Sequence, residues 1–481
     1  PAASLWCEDA LLALPQATDT LDVPLGIDSL WTACAAISDG DVDQGTAPSN
    51  AAAAQLAGSL LDLGVTPDQP PPARFGLDGR KVLLHVLHGW GGGSERFVRD
   101  LMAAGIDQQT HHLVLRAEAD PKANLTAQAL CLHHDLGQPP LRRWVLSEPI
   151  SVTALHSAEV LDLLHSVCTE FAVGAVLVSS VIGHSLDVLR TGLPTHVVCH
   201  DYFPLWPALH ADFGSSDFDG SDEALQTLLS NGAVAPFREQ SLDYWRQLRT
   251  QYLNALKQSE AALFAPTVSV RRNVCRLAAE LTGGRWIVQA HGLAPWKAAV
   301  ADNQPPERDT LRVLVPGRIN GGKGEDLLAQ VLSEPLAGIE WVLLGCGHAG
   351  MRFFGHDHVH VVLNYAHDDL PAQVAAFKPD LVFLPATVAE TFGYSLSEMW
   401  SLRLPVLATR IGSYAERIRD GIDGFLIEPD AQQARTALLR LRTRRDLLQR
   451  LRTNAPQPES TGVVHARYLT AFPSTQTVEA R

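Results

Sequence analysis

The sequence predicts an α/β protein with two doubly wound domains facing each other across a cleft, preceded by a helical segment. Three observations predict it. The chain has 481 residues, more than one hydrophobic core usually organises. From Lys81 onward, short apolar runs alternate with glycine-bearing loops and helical stretches, the pattern of a parallel sheet covered on both faces. After the polar spacer ADNQPPERDT, residues 301–310, the same series starts again.

Residues 1–75 stand apart. Ala and Leu recur at helical spacing, and the Pro-rich exit TPDQPPPARFGLDG follows, so a small helical module on a linker is expected. The first α/β domain is expected over 80–290. Its strand candidates are KVLLHVL (81–87), HHLVLRA (111–117), VGAVLVSS (173–180) and PTHVVC (194–199), and a long helix from Ser241 leads into another short strand. The second domain is expected over 308–450, with strands in LRVLVPG, IEWVLLGCG, VHVVLNY, PDLVFLPA, LPVLAT and GFLIEP. A tail over 451–481 is expected to cross back to the first domain. Ligands of such sheets sit beyond the carboxyl ends of the strands, so two facing domains frame a cleft.

Composition narrows the function classes. With 38 Lys and Arg against 53 Asp and Glu, the formal charge is −15, and no basic run forms a stripe for a nucleic-acid backbone or an anionic membrane. The seven cysteines are scattered without metal-type pairing, which reads as buried thiols of a cytoplasmic enzyme. The opening PAASLWCEDALLALPQ has no basic n-region and no long apolar stretch; it reads as neither a signal peptide nor a membrane span, and without an initiator Met it reads as a mature or excised fragment. The sequon at Asn124 is incidental in that setting.

Four stretches carry polar residues where a cleft would need them. In VLVPGRINGGKGEDLL, Gly317 and its neighbours allow a tight turn, and Arg318 and Lys323 can reach a diphosphate that also meets free N–H groups. The bland alternative is an ordinary surface turn, and the order is not that of a Walker loop. In HGWGGGSERFV, Gly91, Gly92 and Gly93 permit close approach of a ligand, and the following helix offers its positive end. The spacing is not that of a dinucleotide fingerprint. LPATVAETFGYSLSEMW places Glu390 in a loop before Gly393 and Glu398 about one turn into a helix; a carboxylate accepts paired sugar or ribose hydroxyls well, although two ordinary helix glutamates would look the same. His200 and Asp201 follow an apolar strand directly and are better candidates than scattered histidines such as His111, His112, His133 and His134. Asp201 with Ser221 or His291 makes no recognisable nucleophilic triad, and no metal-ligand motif is present.

In order along residues 80–470, these stretches resemble the retaining glycosyltransferases of the two-Rossmann-domain type (GT-B), family 4. The resemblance rests on GGGSE (Gly91–Glu95), HD (His200, Asp201), GRINGGKGEDLL with Arg318 and Lys323, and the E-x7-E pair Glu390 and Glu398; AHGL, GCG and DGIDGFLIEPD support it. It implies a sugar transferred from a nucleoside diphosphate sugar to a hydroxyl of a glycan-like acceptor, with retention at the anomeric carbon and without cofactor or metal. Arg318 and Lys323 would hold the diphosphate, His200 and Asp201 would lie beside the donor sugar, Glu390 would face the sugar, and Glu398 the ribose. Gly92, Gly93, Gly317, Gly345 and Gly393 would line the donor site, and Trp90, Glu95 and Tyr202 the acceptor side. The setting implied is cytoplasmic, near the inner face of a membrane, within a larger glycan-synthesis protein.

Two departures from the family pattern are visible. Arg403 stands where Gly is usual, so a left-handed Arg must close that helix or the turn must change, and Ala386 stands where Ser is common. The same architecture also serves nucleotide-sugar 2-epimerases, and a degenerate transferase kept as a binding or scaffold module is the third reading.

Overall fold

The computed structural model describes residues 80–107, 110–119, 126–207, 220–230, 237, 240–297 and 304–472. The chain divides into two units, 1–74 and 75–481, and the described residues all belong to the second. The helical module expected over 1–75 and the sequon at Asn124 lie outside them.

The first sheet comprises β1 (Lys81–Leu87), β2 (Thr110–Ala119), β3 (Ala127–His133), β4 (Arg142–Ile150), β5 (Ala175–Val178), β6 (Thr195–Val198), β7 (Ala262–Ala265) and β8 (Trp286–Val288), in the order β4-β3-β2-β1-β5-β6-β7-β8. The helices of this half are α1 (Gly92–Asp107), α2 (Ala158–Glu170), α3 (Asp222–Ser230), α4 (Leu242–Gln258) and α5 (Val268–Leu277). Strands β1, β2, β5, β6, β7 and β8 pair parallel. All of β1 after Lys81 is buried, which is why it reads as one continuous apolar run.

The sequence predicts a parallel sheet, and here the structure adds to it. β3 and β4 join antiparallel at one edge. The turn between them closes through Gln138 N donating to Asp135 O (3.2 Å) and Gly137 N to Asp135 Oδ1 (2.7 Å). β4, RRWVLSEPI, is mostly exposed, as an edge strand can be, so it shows neither an apolar run nor a clean alternation.

The second sheet comprises β9 (Leu311–Pro316), β10 (Ile339–Leu344), β11 (Val359–Val362), β12 (Leu381–Leu384), β13 (Val406–Thr409) and β14 (Phe425–Ile427). All pairs are parallel, in the order β11-β10-β9-β12-β13-β14. Its helices are α6 (Glu325–Leu332), α7 (Leu370–Phe377), α8 (Tyr394–Ser401), α9 (Gly412–Arg417), α10 (Ala431–Thr443) and α11 (Arg445–Asn454). Strand order reverses between β9 and β12, so the crevice beyond their carboxyl ends is the switch point where doubly wound sheets take ligands. Both Rossmann-like sheets carry helices on each face, and together they form the GT-B architecture.

After α11 the chain returns. Leu293 N donates to Glu459 O (2.9 Å), and α12 (Thr461–Ala471) packs on α1 with Val464 and Tyr468 in one cluster with Phe97, Val98 and Leu101, while Phe472 after it stacks on His196. Three buried histidines pin this helix to the sheet. His85 Nε2 lies 2.8 Å from His112 Nδ1, and His112 Nε2 lies 3.2 Å from His465 Nε2. Burial holds all three imidazoles below their ordinary range, His85 to about 3 and His465 to about 4. Neutral rings carry one proton each, so every N···N contact in the chain can be a donor-acceptor pair.

Candidate functional site

The loop after β9 is shaped by its own backbone. Asn320 folds it: Lys323 N donates to Asn320 Oδ1 (2.9 Å), and Glu325 N to Asn320 O (3.0 Å). The loop is stapled to the one after β12, where Thr387 N donates to Gly322 O (3.1 Å) and Thr387 Oγ1 to Gly321 O (3.0 Å). Gly324 is required at φ +82°, because an added Cβ would overlap the Pro385 carbonyl. Among the described residues no side chain caps α6 or α8, whose N-caps are Gly324 and Gly393 and which begin beyond the carboxyl ends of β9 and β12.

Lys323 Nζ forms an ion pair with Glu390 Oε1. The Lys323 side chain is 40% exposed and that of Glu390 8%, so the lysine is the mobile partner. Arg318 is exposed, makes no ion pair among the described residues, and lies flat against Gly347. Gly317 sits beside Ser395, and Gly345 beneath Tyr365. Glu398, on α8, is nearly buried; its Oε1 pairs with Arg96 Nη1 from α1 and lies 3.6 Å from His367 Nδ1. Arg417 secures the segment between the two glutamates. It donates to Phe392 O (2.6 Å) and Ser397 Oγ (2.6 Å), stacks over the Phe392 ring, and burial draws its pKa down to about 10.

The first domain supplies the opposite wall. His200 Nε2 lies 3.3 Å from Ser179 Oγ, and its ring packs on Phe97 and His291. Burial, then the neighbouring His88, push its pKa down to about 3, so the imidazole is neutral at physiological pH. The walls touch here: Thr391 Oγ1, next to Glu390, donates to His200 O (2.8 Å). Glu416 accepts from Val268 N (2.9 Å) and Ser269 N (2.8 Å) at the start of α5, a second crossing. A Cβ on Gly93 would lie 3.8 Å from the Tyr394 ring, and Gly92 beside it is exposed.

Not every residue singled out from sequence faces the cleft. Tyr202 is 2% exposed, its hydroxyl accepts from Asn273 Nδ2 (3.1 Å), and its ring packs in the core of the first domain. Asp201 accepts from Phe203 N (2.9 Å) and is pushed up to about 6 by burial, so its carboxylate shapes a turn. Glu95 is held by Arg99 (2.8 Å) and Arg116 (3.4 Å) of its own domain, and Trp90 stacks on Phe237 (5.8 Å). Ala386 is buried and its carbonyl accepts from Thr409 Oγ1 (2.6 Å). Motif reading gives no role to Arg96 or Arg417. The only local signal for Arg96 is its place in the first turns of α1, after the glycine loop.

Residues 302–457 match the family model described as glycosyl transferases group 1. A 53-residue stretch is 43% identical to the sucrose synthase of Acidithiobacillus caldus, covering 11% of this chain and 7% of that protein's length. Among solved structures, sucrose-phosphate synthase from Thermosynechococcus elongatus superposes with a TM-score of 0.53 at 14% identity, over 82% of this chain and 98% of that one. Anabaena HepE in complex with UDP and glucose gives 0.52 at 16% identity, over 82% and 99%. The catalytic domain of starch synthase IV from Arabidopsis thaliana, bound to ADP and acarbose, gives 0.51 at 13% identity, over 81% and 98%. Likeness at these identities is likeness of fold.

Proposed function

We propose that this chain, which has the GT-B fold and carries a glycosyl transferases group 1 domain at residues 302–457, is a retaining glycosyltransferase that takes its sugar from a nucleoside diphosphate sugar. The observation that carries the reading is the Lys323–Glu390 ion pair joining the loops after β9 and β12, beside two helix starts that no side chain caps, with Glu398 on the second of those helices. A diphosphate is the group that such a concentration of positive potential fits, and a carboxylate one helical turn away suits a ribose. HepE and starch synthase IV, whose structures hold UDP and ADP, have this fold.

In the proposed reaction the bond from the anomeric carbon to the diphosphate oxygen breaks. A bond to the acceptor oxygen forms on the same face, and the acceptor's proton passes to a phosphate oxygen of the leaving group. Arg318 and Lys323 stabilise the charge that grows on the diphosphate, a gain made mostly in the transition state. Lys323 reaches it by turning from Glu390, which its exposure allows. Glu390 is left facing the sugar, and neutral His200 offers an uncharged hydrogen-bonding edge beside it. The acceptor is a glycan-like hydroxyl. Five described cysteines are all unpaired thiols, in keeping with a reducing, cytoplasmic setting, and among the described residues no helix is long and apolar enough to cross a membrane.

Calorimetry with UDP, GDP, ADP and TDP, followed by NMR of the product formed from the matching sugar nucleotide, tests the reading. One of the four should bind, and the product should carry a new glycosidic bond with the donor's anomeric configuration. A free epimer would replace this function with 2-epimerisation, and no binding by any of the four would end it.

A further inference from the structure

At the start of α5 the two domains are joined by a carboxylate. Glu416, on α9 of the second domain, accepts from Val268 N (2.9 Å) through Oε1 and from Ser269 N (2.8 Å) through Oε2. The next donor of that helix, Val270 N, goes to its own N-cap, Thr267 Oγ1 (3.3 Å). The first turn of a first-domain helix is thus completed by a side chain of the second domain, and the helix dipole favours a negative charge in that place over a neutral group.

Each end of this bridge is bonded to one wall of the site. In the second domain, Ser413 N donates to Glu390 O (2.8 Å), and Arg417, next to Glu416, donates to Phe392 O (2.6 Å), so α9 holds the loop that carries Glu390. In the first domain, Asn273 Nδ2 donates to the Tyr202 hydroxyl (3.1 Å), which ties α5 to the turn after His200. Between them, Thr267 Oγ1 donates to Thr391 O (3.1 Å), and Thr391 Oγ1 to His200 O (2.8 Å). Of the four bonds that cross here, the two to Glu416 involve a charge and the two from threonine hydroxyls do not. Charge-assisted bonds are the stronger kind.

We propose that Glu416 is a positioning residue for sugar transfer: its grip on the first turn of α5 holds Glu390 and Thr391 against His200, so that the donor sugar meets both walls in one fixed geometry. This rests on the transferase reading above and adds the residue that sets the spacing of its two walls. Glu416 spends both oxygens on α5 and acts through His200 and Glu390. The nucleoside diphosphate, in that reading, is held by Arg318, Lys323 and Glu398, all of the second domain. Slackening the bridge therefore separates turnover from nucleotide binding.

The test uses the full chain, whichever of UDP, GDP, ADP and TDP the wild type binds, and the sugar nucleotide it turns over, with water as the acceptor. Glu416→Gln keeps the shape of the side chain but offers α5 one acceptor and no charge. It should lower kcat about ten-fold and leave the calorimetric affinity for the nucleoside diphosphate within about two-fold of wild type, a split that a general loosening of the fold would not produce. Val268→Pro removes one of the two donors from the opposite side. Proline is accepted at the first position of a helix, Thr267 before it is already extended (φ −148° would be no easier than its φ of −147°), and the Val268 side chain is 55% exposed. Val268→Pro should lower kcat in the same way, and adding it to Glu416→Gln should cost little more. Unchanged kcat in Glu416→Ala, equal losses of kcat and affinity, or losses that multiply in the double variant would overturn the positioning role and leave the transferase reading standing. No binding of any of the four nucleoside diphosphates by the wild type would instead bring down the transferase reading, and the positioning role with it.

Discussion

Acid should unfold this protein earlier than its composition suggests, because several of its histidines are neutral only while buried. His85, His88, His184 and His465 are at most 8% exposed and have pKa values of about 3, 4, 4 and 4, set chiefly by burial. In the unfolded chain each returns to an ordinary value of about 6.5. A lowered folded-state pKa means that the unfolded chain binds more protons below about pH 6.5, so stability is full above that value and drains away as pH falls toward 4. At pH 5 each group costs about 2 kcal/mol relative to neutral pH, and the four together cost about 8 kcal/mol. Asp201 runs the other way: its folded pKa is raised to about 6, so acidification returns about 1 kcal/mol. The net loss is comparable to the whole stability of an ordinary domain, about 5–15 kcal/mol. Urea unfolding followed by circular dichroism should give a constant midpoint between pH 7 and 8, a steep fall below pH 6, and unfolding near pH 5 without denaturant. His465→Gln should lower the number of protons taken up on unfolding by about one, reducing the slope by about 1.4 kcal/mol per pH unit. Equal urea midpoints at pH 7.5 and 5.5 would refute the reasoning.

Substitutions at three positions extend the test. Lys323→Ala should lower kcat/KM for the donor by about 30- to 1000-fold with an unchanged circular dichroism spectrum, since one charge-assisted contact to the leaving group is worth about 2–4 kcal/mol; unchanged turnover would remove Lys323 from the mechanism. Gly324→Ala puts a Cβ into the Pro385 carbonyl at φ +82°, and should cost at least about 2 kcal/mol in a urea titration, a result a midpoint equal to wild type would contradict. Arg403 closes α8 at φ +58° and donates from Nη1 to Ala455 O (2.8 Å). Arg403→Gly relieves about 1 kcal/mol of left-handed strain and forfeits a hydrogen bond of about the same size, so its thermal midpoint should stay close to wild type, whereas Arg403→Ala keeps the strain and should fall measurably lower.

The second sheet was the more legible from sequence because its central strands β9, β10, β12 and β13 are almost wholly buried and all six are bounded by turn residues; each of the six apolar runs contains one of β9 to β14. The first sheet was legible only where the same physics holds. β4 lies at an edge, exposes most of its residues, and pairs antiparallel through a short turn, so no continuous run announces it. At Arg403, where the resemblance left either a left-handed Arg or a changed turn, the structure has the left-handed residue. Spacing puts Glu390 in the loop before α8 and Glu398 within that helix, and the structure pairs Glu390 with Lys323 of the loop after β9. Tyr202, two residues past His200, could not be placed from spacing, because the turn shaped by Asp201 carries its ring into the core. Arg96 and Glu398 lie on different domains, and no local pattern links partners so far apart along the chain.

The helix α12 makes the order of synthesis matter. The hydrophobic face that Leu87, Phe97 and Leu101 present is walled by Val464, Tyr468 and Phe472, residues translated only after the entire second domain. A nascent chain that has emerged as far as β8 therefore carries an unfinished half with apolar surface bare to the cell. It must wait, shielded or aggregating, for a lid made after the second domain. Cleavage after residue 460 would leave the second lobe whole and still reopen that wound in the first.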